Sequence, residues 1–212
     1  RVGATFADDV HGFEMMKLRI LNAGHQILAN AGENLGIEAI SGCMEHPGIN
    51  AFFHKVQRDE IVPHVAPVPG MNASDYVDLV ARRFANPSIV DTTRRVAFDG
   101  SSRHTGFLLP VVREALAEGT PFEGLALVEA LWARMCAGTR EDGTIIEPND
   151  PHWDRLCQVA GQARAEPQAW IAQDQIYGDL ARNDRFSEAF ARWLTLIWHD
   201  GTESALDAYR RS

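Results

Sequence analysis

The chain reads as an all-α, multi-helical domain, and three observations carry that reading. Apolar residues recur at three- and four-residue spacing almost from end to end. Runs of β-branched and aromatic residues with period-two alternation are scarce. No glycine-rich loop of the GxGxxG or Walker type follows a strand-like run, so no nucleotide-binding βα unit is written into the 212 residues. With 45% of its residues apolar, the chain has the material for one substantial core.

The first long helix is expected from about Phe13 to Asn34, with Asp8 and Asp9 near its start and Gly36 as its stop. A second follows Pro47, carries Ile49, Phe52, Phe53 and Val56, and ends by Pro63. Val65 to Gly70, with Pro67 and Pro69, reads as an extended connector, after which Asn72 or Ser74 caps a helix through Phe84. Asn86-Pro87 breaks that helix, and a shorter one runs from Val90 to Phe98, ending at Asp99-Gly100. Another carries Phe107 to Leu116, with Pro110 in its first turns. Leu125, Val128, Leu131, Trp132 and Met135 mark one face of the next. The polar stretch Thr139 to Asp150 holds an Asp-Gly turn signal and is expected as a surface loop or small hairpin. Pro151 suits the first position of a helix holding Trp153, Leu156 and Val159, and Phe186, Phe190, Trp193, Leu194 and Ile197 define a late amphipathic helix.

A formal charge of -9 argues against a nucleic-acid or anionic-membrane partner. Cys43, Cys136 and Cys157 form an odd set without CxxC spacing, which fits reduced thiols and provides no zinc site. No apolar run approaches the roughly 20 residues a membrane span needs, so the cytoplasm is the expected location. The chain opens on Arg1 and enters directly into a continuing phrase, which reads as a piece of something longer.

Of the twenty basic residues other than histidine, only Lys17 and Lys55 are lysine. Lys17 opens the string KLRILNAGH, which also holds Asn22 and His25. At about 100° per residue, His25 lies near 80° and Asn22 near 140° from Lys17, so the three share one broad helical face over roughly 12 Å. Leu21 and Leu28 fall on the same side and are expected to desolvate the lysine. Such a lysine would take the hydroxyl proton in alcohol oxidation, with the Asn22 amide holding the oxygen and His25 a neighbouring hydroxyl. Spacing alone favours the plainer assignment: a solvated lysine, an asparagine bonded to a carbonyl and a satisfied core histidine. The other histidines show no HExxH or paired ligand spacing, so no metal site is expected.

The string K-x4-N-x2-H resembles the signature of the polyol-specific long-chain dehydrogenases, the mannitol dehydrogenase family. FEMMKLRILNAGH, Phe13 to His25, is similar to the opening of that family's C-terminal domain, and ARRFANPSIVDTTRRVAFDGSSR, Ala81 to Arg103, to its second landmark. The resemblance covers essentially the whole chain and is weakest after about Gly138. It implies that Lys17 is the general acid/base, Asn22 an oxyanion-stabilising residue, His25 a substrate ligand, and Arg95 a ligand for substrate oxygens. Arg103 stands where the family usually carries lysine, a departure, since a planar guanidinium needs more room and different acceptors. Arg82, Arg83 and Arg94 are expected on solvated helix surface, and Asp99-Gly100-Ser101 equally as a helix stop and new cap.

The resemblance implies a fold like the C-terminal domain of 6-phosphogluconate dehydrogenase. It also implies an NAD or NADP cofactor bound mainly by an N-terminal Rossmann-type domain absent from this chain, without which the chain would be inactive. Uronate reductases of the family carry an arginine where this chain has Phe107, which tilts the expected substrate toward a neutral polyol or ketose, mannitol and fructose first. The alternatives are a fructuronate- or tagaturonate-type reductase, a sugar-phosphate dehydrogenase of the same family, or a non-catalytic helical interaction module.

Overall fold

A computed structural model describes residues 10–212, and α-helices account for most of them. Asp8 and Asp9 lie outside the described residues. The first rod starts at His11 and has three parts: α1 (His11–Met16), a π-helical segment (Lys17–Asn22) and α2 (Ala23–Leu35). It stops at Gly36, whose φ of 71° is the left-handed conformation that a residue with a side chain resists. After α3 (Ile40–Glu45), α4 (Pro47–Lys55) continues through a second π segment (Val56–Ile61) into a 3-10 turn (Val62–His64). Asn72 caps α5 (Ala73–Phe84) by accepting a hydrogen bond from Ser74 N at 2.8 Å.

Two expected boundaries move. α6 is Thr93–Ala97, not Val90 onward: Ala39 and Thr92 pair in an isolated bridge that keeps the approach extended, and Thr92 then caps the helix. The next rod starts at Gly100, seven residues before Phe107: α7 (Gly100–Arg103), a π segment (His104–Leu108) and α8 (Leu109–Glu118). Pro110 has no N–H to give, and the wide π turn ahead of it takes up the break. The corner between α6 and α7 is sharp, with Asp99 at φ 59°. Gly100 is required there because a Cβ would meet Trp132 Nε1 at 2.5 Å.

α9 (Glu123–Met135) is buried on every side from Gly124 onward rather than along one face, because it is the central helix. It packs most extensively on α13 (Asp184–Arg211), a rod bent at Gly201, and on α2. The loop after α9 carries the expected small hairpin, with Thr139 bridged to Ile145 and Gly143 at φ 86°. Pro151 sits in the turn just before α10 (Trp153–Ala163), and α11 (Gln168–Ile171) and α12 (Asp174–Tyr177) close the domain. Among the described residues there is no strand beyond isolated bridges, and no helix is long and apolar enough to cross a membrane.

A ladder of buried amides at four-residue spacing along α2 ties this frame together. Gln26 Nε2 donates to Val96 O of α6 at 2.7 Å, Asn30 Nδ2 to His104 Nε2 at 2.9 Å, and Asn34 Nδ2 to Leu131 O of α9 at 3.1 Å. His104 Nδ1 donates in turn to Glu129 Oε1 at 2.8 Å, and Glu129 Oε2 accepts from the Tyr177 hydroxyl at 2.8 Å. A carboxylate only accepts, so these partners put the histidine proton on Nδ1. The imidazole also stacks on Trp132, with centroids 4.2 Å apart. These buried bonds fix α6, the π segment that follows α7, and α9 against α2.

Candidate functional site

The KLRILNAGH string falls on the π segment and the first turn of α2. A π turn absorbs one extra residue, so His25 stands near the phase of position i+7 from Lys17, about 20° away rather than the 80° of an unbroken α-helix. The widened turn needs extra donors, and Gln57 Nε2, from the facing π segment, donates to Ile20 O at 2.9 Å. Arg19 anchors the other side, with both Nη atoms on Glu114 at 2.6 and 2.5 Å.

Lys17 itself is exposed, contrary to the expectation that Leu21 and Leu28 would desolvate it. Leu28 is in the core, and Leu21 turns toward His25 instead; among the described residues no element packs over the ammonium. Asn22 is half-buried, and the structure brings neither residue into the hollows around His25 and Arg95.

His25, Arg95 and Arg103 do come together, around two hollows that share Arg95 as a wall. The first, of about 100 Å³, is lined by Leu21, His25, Ile40, Arg83, Phe84 and Asp91 as well as Arg95. Burial pushes the His25 imidazole down to about 4, against a weaker pull upward from Asp91, and the charges of Arg95, Arg103 and Arg83 add to the depression. His25 is therefore neutral at physiological pH, able to donate and accept at once. Its ring lies on Phe84 at 4.5 Å, and Nε2 is 3.9 Å from Asp91 Oδ2.

Asp91 is the residue that sequence reasoning missed. Arg95 Nε and Nη2 donate to its two carboxylate oxygens at 2.7 and 2.5 Å, a bidentate pair that fixes the guanidinium plane. Asp91 is 14% exposed and Arg95 69%, and among the described residues nothing engages Nη1, which leaves one donor edge of the fork for a ligand. The four-residue spacing of Asp91 and Arg95 was the available signal. Arg83, expected on solvated surface, also lines this hollow.

The second hollow, of about 360 Å³, is lined by Arg94, Arg95, Phe98, Arg103 and Asn149. Arg94 is exposed as expected, yet it holds the loop from α9 by donating to Glu147 O at 2.9 Å and Pro148 O at 3.1 Å. Asp99-Gly100-Ser101 is a stop and restart, but its cap is Asp150, whose carboxylate accepts from Ser101 N at 2.8 Å. Phe107 packs against the core and lines neither hollow. Among the described residues no three His, Cys, Asp or Glu side chains are grouped to hold a metal ion.

A neutral imidazole and fixed guanidinium donors are groups that can hydrogen-bond hydroxyls. Residues 9–198 match the family model described as the mannitol dehydrogenase C-terminal domain. The mannitol 2-dehydrogenase of Cereibacter sphaeroides is 47% identical over 97% of this chain and 43% of its own length. That of Aspergillus terreus is 30% identical over 95% of this chain and 40% of its own. Among solved structures, a Pseudomonas fluorescens mannitol 2-dehydrogenase in ternary complex with NAD and D-mannitol superposes with a TM-score of 0.94 at 30% identity, covering 100% of this chain and 43% of that one. A substrate-free D-sorbitol dehydrogenase, at 24% identity and a TM-score of 0.87, shares the fold. The chain thus spans less than half the length of these relatives, and it belongs to the mannitol dehydrogenase C-terminal domain family.

Proposed function

We propose that this chain is the substrate-binding and catalytic part of an NAD-dependent, metal-independent polyol dehydrogenase, interconverting mannitol and fructose in the cytoplasm. The observation that carries the reading is the grouping of a neutral His25, an Asp91-fixed Arg95 and Arg103 around two hollows that share Arg95 as a wall, on and beside the rod that bears Lys17 and Asn22. The names of the relatives, and the NAD and D-mannitol of the Pseudomonas complex, favour NAD over NADP and mannitol over other polyols.

No glycine-rich βα turn is available here, so these residues do not fit a dinucleotide by themselves, and the reading assigns it to an N-terminal domain of the same enzyme. A dinucleotide held there would supply the hydride acceptor for the alcohol carbon. Lys17, as the free amine, takes the hydroxyl proton, and returns it when a ketose is reduced. Lys17 is exposed in this chain, and in the complete enzyme a further layer over it would enclose the amine beside the substrate. Asn22 donates its amide N–H to the oxygen as negative charge develops. His25 takes an adjacent hydroxyl as donor and acceptor, and Arg95 Nη1 with Arg103 holds hydroxyls further along the substrate.

An anionic substrate, uronate or sugar phosphate, is the second reading that the arginines suggest. Asp91 cancels the charge of Arg95, and Arg94 is committed to backbone carbonyls, which favours the neutral polyol. Turnover of the full-length polypeptide with NAD and mannitol, measured beside fructose and fructuronate reduction, tests the choice. The expected result is mannitol and fructose turnover well above fructuronate; preference for fructuronate would replace this reading with the uronate one.

A further inference from the structure

The mechanism above leaves one wall of the second hollow unused. Asn149 lines it beside Arg95 and Arg103, is only 3% exposed, and has no hydrogen-bond partner for either Nδ2 or Oδ1. A buried amide left without partners carries a desolvation cost, so a fold that keeps one has usually reserved it for something. The backbone around it is, by contrast, fully fastened. Asn149 O accepts from Asp99 N at 2.8 Å, Arg94 grips the two preceding carbonyls, and Asp150 accepts from Ser101 N, Ser101 Oγ and His152 N at 2.8, 3.0 and 2.8 Å. The side chain stands on a rigid platform in the wall of the hollow, with both amide atoms shielded from solvent.

We propose that Asn149 is a substrate-specificity residue that reads a hydroxyl of the polyol remote from the reacting carbon. An amide gives a donor and an acceptor side by side, which matches a hydroxyl, itself donor and acceptor. The hydroxyl is remote because Asn149 shares its hollow with Arg95 and Arg103 and not with Lys17 or Asn22. This rests on the polyol dehydrogenase reading.

The test is Asn149→Leu in the full-length enzyme, a change of similar volume that removes both polar atoms, with Asn149→Ala as a second variant that keeps the Asp99 backbone bond. KM for mannitol is expected to rise about 3- to 10-fold, the equivalent of one neutral hydrogen bond, with kcat within about twofold. The melting temperature of the unliganded enzyme should be unchanged or higher, because no protein partner is lost. Across mannitol analogues each lacking one hydroxyl, the variant-to-wild-type KM ratio should fall to about one for a single analogue. An unchanged KM for mannitol, or a uniform ratio for every analogue together with a lowered melting temperature, overturns the proposal and makes Asn149 a structural residue. Wild-type enzyme that turns over mannitol while both variants keep its KM sinks this inference alone; wild-type enzyme inert toward every polyol sinks the functional reading with it.

Discussion

The two halves of the first rod belong to one continuous helix and are held in opposite ways. Over Ala23–Leu35 nearly every residue is buried, and Gln26, Asn30 and Asn34 are each bonded to a different neighbouring element. Over Lys17–Asn22 only Ile20 is buried; Lys17 is open to solvent, and the extra width of the π turn is compensated by Gln57. The buried half fixes where α6 and α7 stand, and with them Arg95 and Arg103. The open half carries Lys17 and Asn22, the groups proposed to react. π turns are uncommon and are frequent at functional sites, where the extra residue re-aims a side chain.

Substitutions should separate the halves by readout. Lys17→Ala in the full-length enzyme should lower the rate of mannitol oxidation by about 10² to 10⁴, the range of lost general acid–base catalysis, and leave substrate affinity nearly unchanged. Its melting temperature should change little, since Lys17 is exposed on this domain and its loss opens no cavity in the helical core. Equal losses of rate and stability would erase the contrast.

Glu129→Leu, on the buried side, should show the reverse emphasis. It leaves the His104 Nδ1–H without its acceptor and the Tyr177 hydroxyl with Trp170 Nε1 alone, and stranding a buried donor costs about 1–3 kcal/mol in denaturant unfolding. A loss below about 1 kcal/mol would mean that the network is not what fixes the π segment after α7.

His25 lies at the border and should report on both. It is held at about 4 in the fold against about 6.5 in the unfolded chain, so below that upper value the unfolded state binds more protons. Stability from His25 is therefore present above about 6.5 and drains away as the pH falls toward 4, by at most about 3 kcal/mol. His25→Gln should flatten the wild-type stability profile across that window, and an unaltered slope would contradict the burial that depresses the imidazole.

Gln26→Leu is the mildest case, a single neutral bond to Val96 O, and should cost about 1 kcal/mol. A KM effect larger than that stability loss would show α6, and Arg95 on it, to be positioned by this one contact.

The helical frame was legible because long amphipathic helices repeat their apolar face many times, and Asn72 and Gly36 ended them with residue types suited to the task. The π turns were not, since a widened turn leaves the apolar spacing nearly intact and only shifts its phase, which displaced Lys17 from the apolar side. α6 and α7 moved because their boundaries are set by distant partners, Ala39 for one and Trp132 for the other. The string KLRILNAGH marked the rod on which the proposed site is built, but the partners that give His25 and Arg95 their surroundings come from elsewhere. Phe84 and Asp91 act through tertiary proximity, and Asn149 is more than forty residues beyond Arg103. The amide ladder did carry a signal: Gln26, Asn30 and Asn34 sit four apart on an otherwise apolar helix, a pattern that asks for buried partners.

The account turns on Lys17 as the group that moves the proton, and the pH profile of kcat/KM for mannitol oxidation by wild-type and Lys17→Ala full-length enzyme tests that most directly. The wild type should rise with pH as the amine loses its proton, and in the variant that ascending limb should vanish, with small primary amines restoring part of the rate. A variant that keeps the wild-type limb and a near-normal rate would show Lys17 to be a solvated helix residue and the mechanism to be wrong.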